Sequence, residues 1–167
     1  MKGQDMSNPL LTVWTGPFEL PPFGTIRDDD FRPAFDAALL QARADVAAIA
    51  GSGEAPTFAN VIEALEMSEV ALTRVAGVFY NLVGADSTPE REALQSELAP
   101  VLSAYSSEIT NNAALFGKIE ALWQGRDALV LEPEQARVLE LYRRMFVRSG
   151  AQLQGEAAAR LTEVKSR

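Results

Sequence analysis

The sequence predicts an all-α fold, a bundle of five or six helices preceded by an extended Pro-rich arm. Three observations carry that prediction. Apolar residues recur at spacings of three, four and seven through most of the chain, as on a helix with one buried face. The stretch from Ser7 to Gly24 concentrates Pro, Gly and aromatic residues, so no helix can run through it. The chain has 167 residues and 47% hydrophobic content, enough apolar surface for one domain with a core.

Taken in order, Pro9, Pro17, Pro21 and Pro22 make residues 1–24 an arm, which Trp14, Phe18 and Phe23 are expected to pin to the fold. Residues 25–167 form the helical domain. Asp28, Asp29 and Asp30 precede the first helix, about Phe31 to Ala50, where acidic groups cap free N–H groups and complement the dipole. Phe35, Leu39, Val46 and Ile49 define its buried stripe, and Gly51, Ser52 and Gly53 end it. Thr57 caps a second helix in which Phe58, Leu65, Leu72 and Phe79 fall seven apart, with Val61, Val75 and Leu82 on the offset row. Ser68 interrupts that row, and Gly77 lies inside the helix, where close approach of a neighbouring helix is the expected reason for a glycine.

Ser87, three residues before Glu90, has capping-box spacing for a third helix. That helix carries Leu94, Leu98, Val101, Leu102, Tyr105 and Ile109, with Pro100 in its interior removing a backbone bond and expected to bend it. Asn111 and Asn112 mark a break or a second kink. A shorter helix from about Ala113 to Trp123 buries Leu115, Phe116, Ile119 and Leu122. Pro133 opens the next, with Val138, Leu141, Tyr142, Met145 and Phe146 as its apolar face and Gly150 as its stop. A last helix begins near Glu156 with Ala157, Leu161 and Val164 on one side. Its periodicity is still running at Arg167, so the domain reads as truncated there.

Composition narrows the chemistry. A formal net charge of −8 and a pI near 4.6 argue against nucleic acid, whose backbone needs a clustered basic surface. No stretch approaches a membrane span, and Met1 to Gln4 do not open a signal peptide. With no cysteine the chain suits a reducing compartment, and a cytoplasmic location is expected.

With no histidine either, the usual zinc ligand sets and imidazole-assisted nucleophiles are unavailable. Asp28 to Asp30 lack the alternating ligand spacing of a calcium loop and read as a cap. Glu63, Glu66 and Glu69 suggest an acid/base pair but fit a solvated face better. Arg137, Arg143, Arg144 and Arg148 could grip a peptide carboxylate, yet pairing of Glu140 with Arg144 and of Glu134 with Arg137 accounts for them more simply. Ser103, Ser106 and Ser107 read as helix residues. No catalytic, cofactor-binding or metal-ligating residue is assigned to this chain.

Several phrases resemble, in order, the N-terminal region of the thimet oligopeptidase and oligopeptidase A family of zinc metallopeptidases, the bacterial peptidyl-dipeptidases above all. They are Asn8-Pro9-Leu10-Leu11, Pro17-Phe18-Glu19-Leu20-Pro21-Pro22-Phe23 and Phe31-Arg32-Pro33-Ala34-Phe35. Pro56-Thr57-Phe58-Ala59-Asn60 follows, then Leu72-Thr73-Arg74-Val75, Val78-Phe79-Tyr80-Asn81-Leu82, Leu115-Phe116 and Arg148-Ser149-Gly150-Ala151-Gln152-Leu153. Ala59 and Val61 depart from the family's Pro-Thr-Phe-Glu-Asn-Thr phrase.

The resemblance implies the N-terminal part of a neurolysin-like fold, in which two helical lobes flank a channel and one zinc is held by a His-Glu-x-x-His helix. That motif is absent here. The segment is therefore expected to be non-catalytic, to form part of the channel wall for short peptides, and to partner its own missing catalytic domain. Zinc would belong to the parent enzyme, not to this piece. Exposed faces left by truncation are expected to favour self-association. The competing readings are a stand-alone helical interaction module and a self-contained helical enzyme using Arg and Glu.

Overall fold

Helix α1 (Asp28–Gly51) begins three residues ahead of the expected Phe31. Asp30 explains the earlier start: its Oδ2 accepts from the Arg27 backbone N–H at 2.7 Å, closing the first turn from inside. The computed structural model describes residues 8–153 together with Glu156 and Arg160. A π-helical turn (Phe58–Glu63) runs into α2 (Ala64–Ser68), followed by α3 (Val70–Ala85), α4 (Pro89–Thr110), α5 (Ala113–Gly125) and α6 (Pro133–Arg148). Short 3-10 turns lie at Pro17–Glu19 and Arg126–Ala128, and no strand occurs among the described residues. The fold is all-α. Of the expected last helix, Glu156 and Arg160 are helical, whereas Ala157, Leu161 and Val164 lie outside the described residues, as do Met1 to Gln4.

Caps explain most boundaries. Thr57 Oγ1 accepts from the Asn60 backbone N–H at 3.1 Å while Asn60 Oδ1 accepts from the Thr57 N–H at 2.8 Å, so Thr57-Phe58-Ala59-Asn60 is a reciprocal cap. Asn112 caps α5 by accepting from the Leu115 N–H at 3.0 Å, which turns the expected break into a helix start. Past α6, Gly150 has φ of 96°. Its N–H donates to Val147 O and the Ala151 N–H donates to Phe146 O, each at 3.0 Å. That six-to-one and five-to-two pairing needs a residue at ease with positive φ, and glycine supplies it.

Four expectations are corrected. The second helix is not continuous: it starts as a π turn and breaks at Glu69, where φ is −99° and ψ −2°. Gly77 is not a close-packing site, because a Cβ there would meet no atom within 4 Å. The cap of α4 is Thr88, whose Oγ1 accepts from the Arg91 N–H at 3.3 Å, while Ser87 donates to Glu92 instead. On α6, Leu141 and Met145 are exposed; the buried residues are Leu139 and Phe146, seven apart, so the true stripe is rotated from the expected one. Helix α4 runs uninterrupted through the exposed Pro100.

The chain divides into two compact units, Met1–Asp45 with Met67–Leu102, and Val46–Glu66 with Ser103–Arg167. In the first, the Phe79 ring meets Phe31 edge-on at 5.1 Å and Phe35 at 5.5 Å, all three fully buried. Arg91 Nε donates to Asp28 at 2.7 Å, and Arg32 pairs with Glu97, tying α4 to α1. In the second, the π turn, α5 and α6 pack together over Val61, Ile62, Leu115, Ile119, Leu139 and Phe146. Phe116 stacks on Phe146 with centroids 6.0 Å apart. Each fully buried Phe or Leu contributes about 1.5–3 kcal/mol by leaving water.

Candidate functional site

In the first unit the most organised polar arrangement is the clasp on the arm. Asn8 Nδ2 donates to Asp30 O at 2.7 Å, and Asn8 Oδ1 accepts from the Leu10 N–H at 2.9 Å, so the start of the arm is stitched to α1. Leu10 is then buried. From α3, Arg74 Nη2 donates to Thr12 O and, at 3.4 Å, to Leu10 O. Its guanidinium carbon lies 4.1 Å from the centre of the Trp14 ring, whose Nε1–H donates to Pro9 O at 2.8 Å. The Arg74 Nε is buried and makes no hydrogen bond, so stacking on the indole is what the cation receives on that side.

This corrects the expected anchors of the arm. Trp14 does pin it, together with Leu10, but Phe18 is 93% exposed and Phe23 is exposed as well. Phe18 and Glu19 both hold positive φ, 58° and 53°, a left-handed pair unusual for residues with a Cβ. Sequence reasoning missed Arg74. Its only signal was a cation set among the apolar Leu72, Val75, Val78 and Phe79 of α3.

The second unit holds the other concentration of charge and aromatic surface. Arg143 donates from Nε to Glu120 at 2.8 Å and lies over Trp123, with its guanidinium carbon 5.1 Å from the ring centre. Arg126 flanks the same ring at 4.5 Å. The hydrogen bond from Arg143, more than any other influence, lowers the pKa of Glu120, and Gln124 adds to it. Arg137 likewise lowers that of Glu140, donating at 2.6 Å. Beside them lies a cleft of about 460 Å³ whose lining includes Trp123, Arg126, Leu131, Arg137 and Glu140. Arg126 stands 3.7 Å from Asp127, so both guanidiniums facing the cleft have a carboxylate at hand.

Three members of the basic cluster read from the sequence are thus taken up by carboxylates, Arg143 by Glu120 and both Arg137 and Arg144 by Glu140. Glu140 takes both Arg137 and, at 4.0 Å, Arg144, so Arg137 pairs with Glu140 rather than with Glu134. Among the acidic residues, Asp28 accepts from Arg91, which raises that arginine's pKa further, and Asp30 closes the first turn of α1. Glu66 accepts from the Tyr142 hydroxyl at 2.7 Å. Glu63 ends the π turn and Glu69 sits in the break, so the three glutamates lie on different pieces of backbone. Ser107 Oγ donates to Ser103 O at 3.0 Å, and Thr110 Oγ1 donates to Ser106 O at 3.1 Å, both within α4. Among the described residues no group of three His, Cys, Asp or Glu is placed to hold a metal ion.

No known protein-family profile matches the chain. Individual relatives do. The chain is 39% identical to dipeptidyl carboxypeptidase of Salmonella typhimurium over 155 residues, 93% of its own length. The dipeptidyl carboxypeptidase of Escherichia coli matches at 38% over 154 residues, and oligopeptidase A of Escherichia coli at 30% over 162 residues. The chain is a relative of the dipeptidyl carboxypeptidases. It spans 23% of the length of those dipeptidyl carboxypeptidases and of that oligopeptidase A. The aligned stretches amount to 92–97% of the chain, so they extend over parts of both units described above.

Proposed function

We propose that the chain is the non-catalytic N-terminal helical part of a peptidase that degrades short peptides, and that it helps to form the wall of the channel admitting them. The observation that carries this reading is the 39% identity across 93% of the chain to a protein named for releasing dipeptides from a carboxyl end. Supporting it is the chemistry of the chain itself. It has no histidine and no cysteine, and its best-ordered polar groups are caps, clasps and ion pairs.

In the same reading the parent enzyme is a zinc peptidase whose His-Glu-x-x-His helix lies further along the polypeptide, and the protein works in the cytoplasm. The residues present here do not make such a zinc site, since the chain has no histidine. Among the described residues no helix is long and apolar enough to cross a membrane.

The test reads the coding sequence beyond Arg167 and assays its product. The expected result is a downstream His-Glu-x-x-His and release of C-terminal dipeptides from a short blocked peptide, abolished by a chelator. The 167-residue chain alone is expected to leave the peptide intact. A stop codon directly after Arg167, or hydrolysis by the short chain itself, would sink the proposal and turn attention to a stand-alone interaction module.

A further inference from the structure

The exposed large hydrophobic residues are not spread evenly. Leu11, Val13, Phe18, Leu20 and Phe23 all fall on the arm, with Val13 81% and Phe18 93% exposed. Singly exposed apolar side chains are ordinary, but a contiguous set marks a surface that something covers. Charge points the same way: from Asn8 to Gly24 the only ionisable side chain is Glu19, in a chain whose overall charged content is 23%. A solvated loop would carry more.

The arm is also held in shape before anything covers it. Arg74 and Asn8 fix its first half through Leu10, Thr12 and Asp30. Its second half is a succession of tight turns. The Glu19 N–H donates to Gly16 O at 3.0 Å, Phe23 to Pro21 O at 2.8 Å and Thr25 to Pro22 O at 2.8 Å. Between the halves lies a hollow of about 410 Å³ lined by Val13, Trp14, Pro17, Leu20, Pro21 and Pro22. Next in sequence to Pro17 of that lining, Phe18 stands in a left-handed conformation that its own side chain disfavours. A conformation of that cost, ending in an exposed aromatic ring, is preorganised for a contact outside this chain.

We infer that the arm, from Val13 to Phe23, is the docking surface for the remainder of the longer polypeptide, with the Phe18 ring as its anchor. The inference rests on the reading that the chain is part of a peptidase about four times its length, as the 23% coverage of the relatives indicates. That missing length supplies the occupant. A mostly apolar arm with one charge suits a permanent intramolecular interface, which resembles a cut core, better than a transient encounter.

Hydroxyl-radical footprinting on two proteins tests this: the 167-residue chain and the product of the extended reading frame. In the short chain Phe18 and Val13 should be oxidised at the rate of free side chains. In the longer protein Phe18 should fall to the level of Phe31 and Phe79, which are fully buried within the 167-residue chain and serve as internal standards. The variant Phe18→Asn adds an opposed pair of signs. Asn tolerates the left-handed region, so the midpoint of thermal unfolding should hold or rise in the short chain and fall in the longer protein. A continuing frame whose product labels Phe18 as fast as the short chain overturns the docking and leaves the peptidase reading standing. A frame that closes at Arg167 overturns both. Protection of Phe18 in the short chain, with a doubled mass in sedimentation, assigns the strip to a second copy and overturns the inference.

Discussion

Gly77 sits on the exposed side of α3 with a backbone any residue can adopt and open space where a Cβ would go. Nothing about the site needs glycine, so Gly77→Ala should stabilise the 167-residue chain by about 1 kcal/mol, read as a higher urea midpoint with unchanged slope. Arg74 is the opposite case. Arg74→Met keeps the apolar stem but removes the donors to Leu10 O and Thr12 O. Charged hydrogen bonds of this kind are worth about 2 kcal/mol, so the Leu10 and Leu11 amides should exchange markedly faster while the α1 amides hold. Caps were legible residue by residue: Thr57 and Gly150 take the roles that their positions suggest, since capping depends on neighbours a few residues away. Arg74 was not, because its partners lie 62 and 64 residues off in the chain.

Among the elements, α1, α4, α5 and α6 could be read from periodicity to within a few residues, and the one serious misreading was the second helix. Phe58, Leu65, Leu72 and Phe79 keep a seven-residue seam across the π turn and the break at Glu69, and neither Pro nor Gly falls between Phe58 and Ala76 to announce them. A period reports which residues are buried, not whether the backbone between them is regular. The rotated stripe of α6 has a related cause: Arg143 turns inward to Glu120 and Trp123, and a cation on a helix face is scored as polar whatever it meets.

That pair gives α5 and α6 a pH dependence with a definite sign. The folded pKa of Glu120 is depressed, so its contribution is complete above the unfolded carboxylate value, about 4.3, and is lost as pH falls through the lower folded value. Glu120→Gln should therefore flatten the acid side of the stability curve below about pH 5 and leave the alkaline side unmoved, measured by urea denaturation across pH.

At the scale of the whole molecule, each compact unit is assembled from two separated stretches of chain, a division no local pattern announces. Removing Ser103 onward takes α5 and α6 away from the π turn, leaving Val61 and Ile62, both buried in the intact chain, without cover. A protein comprising residues 1–102 is therefore expected to aggregate and to bind a hydrophobic dye. A soluble, monomeric product with native-like near-ultraviolet dichroism would contradict this. The relatives' alignment runs through both units, so the same interleaving is expected of them. It also sets a schedule for synthesis. On the ribosome the first unit must wait for residues up to Leu102, and the segment Val46–Glu66 emerges long before α5 and α6 exist to receive it. For that interval the nascent chain carries an uncovered apolar turn, a natural client for the chaperones that meet polypeptides at the exit tunnel.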